Sequence, residues 1–190
     1  QKLNKKSVYG ILLHSSTDFL NNKTEFIKAL ALLKIRNLAK KTGISIYNIE
    51  EFFQITQYWI PDFVQVPYNI FNRDIENKKF KKIIKKYNIE IHVRSIFFKG
   101  LLTDRNLKVK KLSKWNKYFD KWFDWCKKKK IEPYKACYLF AQKNNDVQNI
   151  VISFDNIKQL EEVMKIRNKY IKFPNFHIKD KYFLNPSLWS

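Results

Sequence analysis

The chain has 190 residues, 45% of them hydrophobic and 16% aromatic, which suits one domain with a real core. No apolar run approaches the ~18 residues of a membrane span, and two cysteines, Cys126 and Cys137, supply neither a disulfide framework nor zinc spacing. A net charge of +21 invites a nucleic-acid partner, but only five of the 38 basic residues are Arg, the residue that forks onto phosphates and base edges.

Ser7–Ser16, SVYGILLHSS, is an apolar run ending in His14 and two serines, and reads as a strand buried on both faces. Ser15–Lys23 reads as a polar loop. A helical pattern opens at Thr24, with Phe26, Leu30 and Leu33 on one face, and is expected to stop at Gly43. Ile44-Ser45-Ile46 then makes a short strand, Asn48–Ile55 a short helix, and Phe63–Val66 a strand ending at Pro67-Tyr68-Asn69. Arg73–Tyr87 is helical through Phe80, Ile83, Ile84 and Tyr87, and Asn88 closes it. In the strand Ile89–Ser95, Ile89, Ile91 and Val93 share one face, while Glu90, His92 and Arg94 share the other. The polar face is expected to point towards a site. Phe97–Lys111 is a long charged loop of the kind that serves as a lid.

Trp115, Phe119, Trp122, Phe123 and Cys126 form one helical stripe, read as core. Pro133 suits the first turn of the next helix. Gln148–Phe154 is the last strand, and Asn156 is placed to cap a helix running to Tyr170. An irregular tail, 171–190, follows. Strand and helix alternate five times, which argues for an α/β fold with a parallel sheet. One domain is expected over 1–190, with its strand-helix units in 7–170.

Three glycines cannot build a phosphate-gripping loop, and there is no HExxH and no serine nucleophile elbow. What remains is a series of polar residues at successive strand ends: His14, Ser45, Gln65 with Asn69, Arg94 with Ser95, and Ser153 with Asp155 and Asn156. In a barrel of alternating strands and helices such ends converge on one rim around a ligand. The Lys excess, with abundant Asn, Ile, Phe and Tyr, tracks A+T-rich codons, which weighs against a nucleic-acid partner. No signal peptide is visible, and two core thiols fit a cytoplasmic setting.

The runs YGILLHSS, TGISIY, FVQVPYN, HVRSIFFKGLL and NIVISFDNIKQLEEV, in that order and spacing, resemble the aldo/keto reductases. The closing LNPSLW resembles a branch of that family linked to surface-sugar or sugar-nucleotide biosynthesis. The resemblance implies a TIM barrel of eight strand-helix units that transfers hydride from NADPH to a carbonyl. The five units here correspond to the fourth to eighth, so a partial (β/α)8 barrel lacking the first three is expected. Gln1 is not a translation start, and a fragment or truncated form, inactive alone, is expected.

The family histidine that orients the carbonyl falls on His14. The family Asp, Tyr and Lys belong to strands with no counterpart here. The resemblance implies a nicotinamide carboxamide held by Ser45 and Gln65, with Ile46 where the family has Asn. Arg94 and Ser95 stand where the family stacks an aromatic ring. Ser153, Asn156, Gln159 and Glu162 stand where it holds the adenosine. These lack the Lys and Arg that clamp a 2′-phosphate, so NADP and NAD both remain open, and no metal is implied. The implied partner is a small carbonyl compound, sugar-derived if the LNPSLW likeness holds. Open strand edges allow an oligomer. A non-catalytic binding or interaction module is the alternative.

Overall fold

Apolar runs too short for helices alternate with amphipathic segments, and the chain folds accordingly. The computed structural model describes residues 4–167 and 169–189. In chain order the elements are β1 (Val8–Leu13), α1 (Ser16–Asn21), α2 (Lys23–Ile35), β2 (Ala39–Ser45), α3 (Ile49–Ile55), β3 (Phe63–Pro67), α4 (Lys78–Tyr87) and β4 (Glu90–Arg94). They continue with α5 (Asn116–Lys129), α6 (Pro133–Gln142), β5 (Val147–Ile150), α7 (Ile157–Met164) and α8 (Lys181–Leu184). The strands form one parallel sheet in the order β1-β2-β3-β4-β5. Parallel neighbours need a crossover, and a helix supplies each one. By its contacts the chain divides into two units, and β4 runs from one into the other.

The first unit holds the residues up to Val66 together with Asp74–His92. Here the register pairs Gly10 with Lys41 and Leu13 with Ile44, then Gly43 with Phe63 and Ser45 with Gln65. The Phe63 ring lies against both glycines. A Cβ on Gly43 would stand 2.6 Å from the ring and from the Phe63 carbonyl oxygen. Gly43 is therefore a strand residue kept small by a neighbouring ring. The helix expected to reach Gly43 ends at Ile35 instead. Asn37 turns left-handed (φ 55°), and the Leu38 amide donates to the Leu33 carbonyl, which closes the helix. The strand expected over 44–46 begins at Ala39.

The loop expected over Ser15–Lys23 contains α1. Ser15 caps it by accepting from the Asp18 amide (3.1 Å), Phe19 is fully buried, and the Ser16 hydroxyl donates to Glu51 (2.7 Å). β1 is an end strand with partial burial, and Tyr9 on it is exposed. It is not buried on both faces: apart from exposed Tyr9, each of its residues is half-buried. At the start of β4, Glu90 accepts hydrogen bonds from Tyr9 Oη (2.7 Å) and Lys41 Nζ, and His92 Nε2 lies 3.1 Å from its other oxygen. The His92 ring stacks on Phe63 at 4.6 Å.

The second unit holds Pro67–Arg73 and the chain from Val93 onward. Phe119, Trp122, Phe123 and Cys126 of α5 are buried as the stripe predicts, and Trp122 Nε1 donates to the Leu102 carbonyl (2.9 Å). Pro133 opens α6. Burial pushes the Cys126 thiol up to about 12 and raises Cys137 as well, so both are inert. The final strand and helix are shorter than the sequence suggests. β5 ends at Ile150, and α7 ends at Met164 rather than Tyr170. The tail is not wholly irregular: Asp180 caps α8 by accepting from the Phe183 amide (3.1 Å).

Candidate functional site

Two loops of the second unit enclose a cavity of about 840 Å³, within the ~300–1,000 Å³ range of small-molecule sites. The end of β4 and the loop after it contribute Arg94 to Gly100, Thr103 and Leu107, and the loop after β5 contributes Val151 to Asp155. Gln159, Glu162 and Val163 of α7 and Tyr134 of α6 complete the lining.

The loop after β4 is bent by its own polar groups. Ser95 is left-handed (φ 57°), and its carbonyl accepts from Asn69 Nδ2 (3.1 Å) and from the Phe98 amide (3.0 Å). Asn69 is buried, and its Oδ1 accepts from the amides of Phe71 (3.0 Å) and Asn72 (2.9 Å). One asparagine thus ties the end of β3 to the start of the loop. Arg94 Nη1 donates to Ser95 Oγ (3.2 Å), which fixes the guanidinium at the cavity wall.

The wall after β5 is set by the start of α7. Asn156 accepts from the Gln159 amide (3.1 Å), and Gln159 Oε1 accepts from the Asp155 amide (2.9 Å). Asn156 is thus the cap of α7, and Gln159 reaches back to the residue before it. Five of the residues singled out from the sequence therefore line one cavity: Arg94, Ser95, Ser153, Gln159 and Glu162. Asn156 is not among the lining residues, and its side chain is occupied as the cap. Asp155, named among the strand-end residues though given no binding role, lines it as well, and Lys99, Thr103 and Tyr134 line the cavity without having been assigned to it. Lys99 and Thr103 fall within the predicted lid, but its charges carried no periodicity that marked them out. The cavity has a charge division. Arg94 and Lys99 come from one loop, and Asp155 and Glu162 from the other segment.

The other three sequence candidates belong to the first unit. His14 is exposed just beyond β1. Ser45 is buried and Gln65 half-buried. They are direct partners in the β2–β3 register, and the Ile46 amide donates to the Gln65 carbonyl (2.9 Å). The polar face of β4 does not act as one surface. Glu90 and His92 enter the cluster with Lys41 and Tyr9, whereas Arg94 lines the cavity. Among the described residues, no group of three or more His, Cys, Asp or Glu could hold a metal ion. Among the described residues, likewise, no helix is long and apolar enough to cross a membrane.

Sequential parallel strands joined by helices, with polar residues gathered on the loops after the strands, define a segment of a β/α barrel. The aldo/keto reductase family model matches residues 2–177, and the chain belongs to that family. The similar solved structures share its fold at low identity. An aldo-keto reductase from Bacillus halodurans, AKR11C1 in its apo form, matches with a TM-score of 0.67 at 17% identity, over 90% of this chain and 60% of its own. Its holo form matches with a TM-score of 0.62 at 16% identity, over 90% and 59%. The glycerol dehydrogenase AKR11B4 from Gluconobacter oxydans matches with a TM-score of 0.65 at 14% identity, over 90% and 56%. The chain thus spans about 60% of the length of the structures it resembles. No curated protein matches it in sequence.

Proposed function

We propose that this chain carries the nucleotide-binding portion of an NAD(P)H-dependent oxidoreductase of the aldo/keto reductase type, acting on a small carbonyl compound. The observation that carries this reading is the cavity that gathers Arg94, Ser95, Ser153, Gln159 and Glu162. Its volume and mixed charge suit the adenosine and phosphate part of a dinucleotide. Arg94 and Lys99 supply positive charge for phosphates, and Gln159, Asp155 and Glu162 supply acceptors for ribose hydroxyls. Carboxylates beside a ribose favour a 2′-hydroxyl over a 2′-phosphate. The cavity lining after β5 carries two carboxylates and no cation. NADH is therefore the better fit, against the NADPH that the family resemblance alone implies.

When bound, such a cofactor supplies the hydride that reduces a carbonyl. Ser45 and Gln65 are the proposed partners of the nicotinamide carboxamide, and His14 the proposed partner of the substrate carbonyl. The resemblance assigns no residue of this chain as proton donor, and general-acid help is worth ~10²–10⁴-fold. The chain is accordingly expected to bind the dinucleotide without turning over a carbonyl at family-like rates. A sugar-derived substrate rests on the LNPSLW likeness. Calorimetric titration with NADH and NADPH tests the reading: saturable binding, tighter for NADH, is expected, and no binding of either rejects it.

A second reading, a binding or interaction module, is favoured by exposed apolar residues on a helix of each unit. Leu32 and Ile35 of α2 are exposed in the first, and Ile157 and Met164 of α7 in the second, the last two at 71% and 77%. A discrete dimer by light scattering favours it, and a monomer rejects it.

A further inference from the structure

The loop that lines the cavity is held in a conformation its residues disfavour. Phe98 has a φ of 52° and Lys99 of 54°, ahead of Gly100 at 83°. Left-handed backbone is an outlier for a bulky side chain and persists where surrounding structure over-determines it. Here the surroundings come from the end of the chain. The Phe98 ring is buried and meets Phe183 at 5.1 Å and Trp189 edge-on at 5.0 Å, and Lys99 Nζ lies 5.9 Å from the centre of the Trp189 ring.

That segment has its own anchors. The Ile178 amide donates to the Phe71 carbonyl (2.9 Å), and Trp189 Nε1 donates to the Tyr182 carbonyl (2.9 Å). Phe183, fully buried, also packs on Phe119 at 5.7 Å and Trp115 at 5.1 Å. Through Ile178 and Phe183 this segment is fixed to the core of the unit independently of the loop. One residue it contacts, Phe98, has a neighbour on each side, Phe97 and Lys99, in the cavity wall, and Phe98 itself lines it.

We infer that Phe183 and Trp189 are positioning residues for the cofactor loop. By clamping Phe98 and Lys99 in the left-handed region they set the loop geometry, and with it the affinity of the cavity for the dinucleotide. This rests on the reading of the cavity as a dinucleotide site.

The test compares Trp189→Ala, Trp189→Leu and Trp189→Phe with the unsubstituted chain. NADH titration is read together with hydrogen exchange of the amides of residues 95–101 and of α5. A loop left competent about a tenth of the time binds about tenfold more weakly. Trp189→Ala is expected to weaken NADH binding by about that factor and to speed exchange in the loop while α5 stays protected. Trp189→Leu, which keeps apolar bulk and is the safer variant for folding, is expected to do the same to a lesser degree. Trp189→Phe restores a ring edge and is expected to recover most of the affinity. If the unsubstituted chain binds NADH and the Ala and Leu variants bind it equally well with unchanged loop exchange, the inference fails alone. If the unsubstituted chain binds no NADH, the cofactor reading falls and takes this inference with it.

Discussion

Glu90 is where single side chains decide most. Burial acts to raise its carboxyl, but hydrogen bonds from Lys41, Tyr9 and His92 outweigh it and hold the group below its ordinary value. Asp62 behaves alike: burial raises it, and Lys34 with the Thr42 amide and hydroxyl lowers it further. A carboxylate depressed in the folded chain contributes stability above its unfolded pKa, which is lost as pH falls through the folded one. The unfolding midpoint is therefore expected to fall on acidification below about pH 4, and Glu90→Gln to flatten that slope. At neutral pH, Glu90→Gln is expected to cost about 1–2 kcal/mol by denaturant titration, since the charge-assisted bonds go while the packing stays. For the candidate site, Glu162→Lys is expected to shift binding preference from NADH towards NADPH by about tenfold, the effect of roughly one opposite charge pair near a surface. Parallel calorimetric titrations measure it. The Asn156 cap was legible from its sequence position, whereas Gln159 was named only through the family resemblance. That capping takes up the Asn156 side chain while Gln159 lines the cavity was not legible, because both roles call for the same residue types.

Among the elements, β2 shows what periodicity can and cannot say. The apolar spacing of α2 runs on past Ile35, and Gly43 resembles a helix stop, so a sequence reading extends the helix. The decision is tertiary: the Phe63 ring lies on Gly10 and Gly43, and a strand places both glycines on its face. Gly43→Ala is thus expected to destabilise the chain by about 1–3 kcal/mol, the cost of overpacking against ring and backbone, measured as a shift in denaturant midpoint at unchanged slope. A folded Gly43→Ala chain of unchanged stability contradicts this packing account. α1 is illegible in the sequence for a different reason. It is six residues long, and its signals, the Ser15 cap and buried Phe19, are too few to show a period. In contrast α5, with Phe119, Trp122, Phe123 and Cys126 buried on one side, repeats its spacing often enough to be read directly.

At the scale of the molecule, the alternation of five strands with helices was legible from the order of apolar runs and turn residues, and with it the parallel sheet. The cavity was legible in part, because residues following strands fall at the same end of a parallel sheet whatever the details. Its shape was not, since the left-handed residues Ser95 and Phe98 to Gly100 lie in a loop whose contacts, Asn69 at Ser95 and the rings of Phe183 and Trp189 at Phe98, are distant in sequence. The proposed function requires that the cavity formed after β4 and β5 bind a pyridine dinucleotide. The most direct measurement is amide hydrogen exchange of the 190-residue chain with and without NADH. Protection gained at residues 94–100 and 151–163, with α2 and α4 unchanged, is the expected result. No change in those two segments at saturating NADH, or protection confined to other parts of the chain, would contradict it.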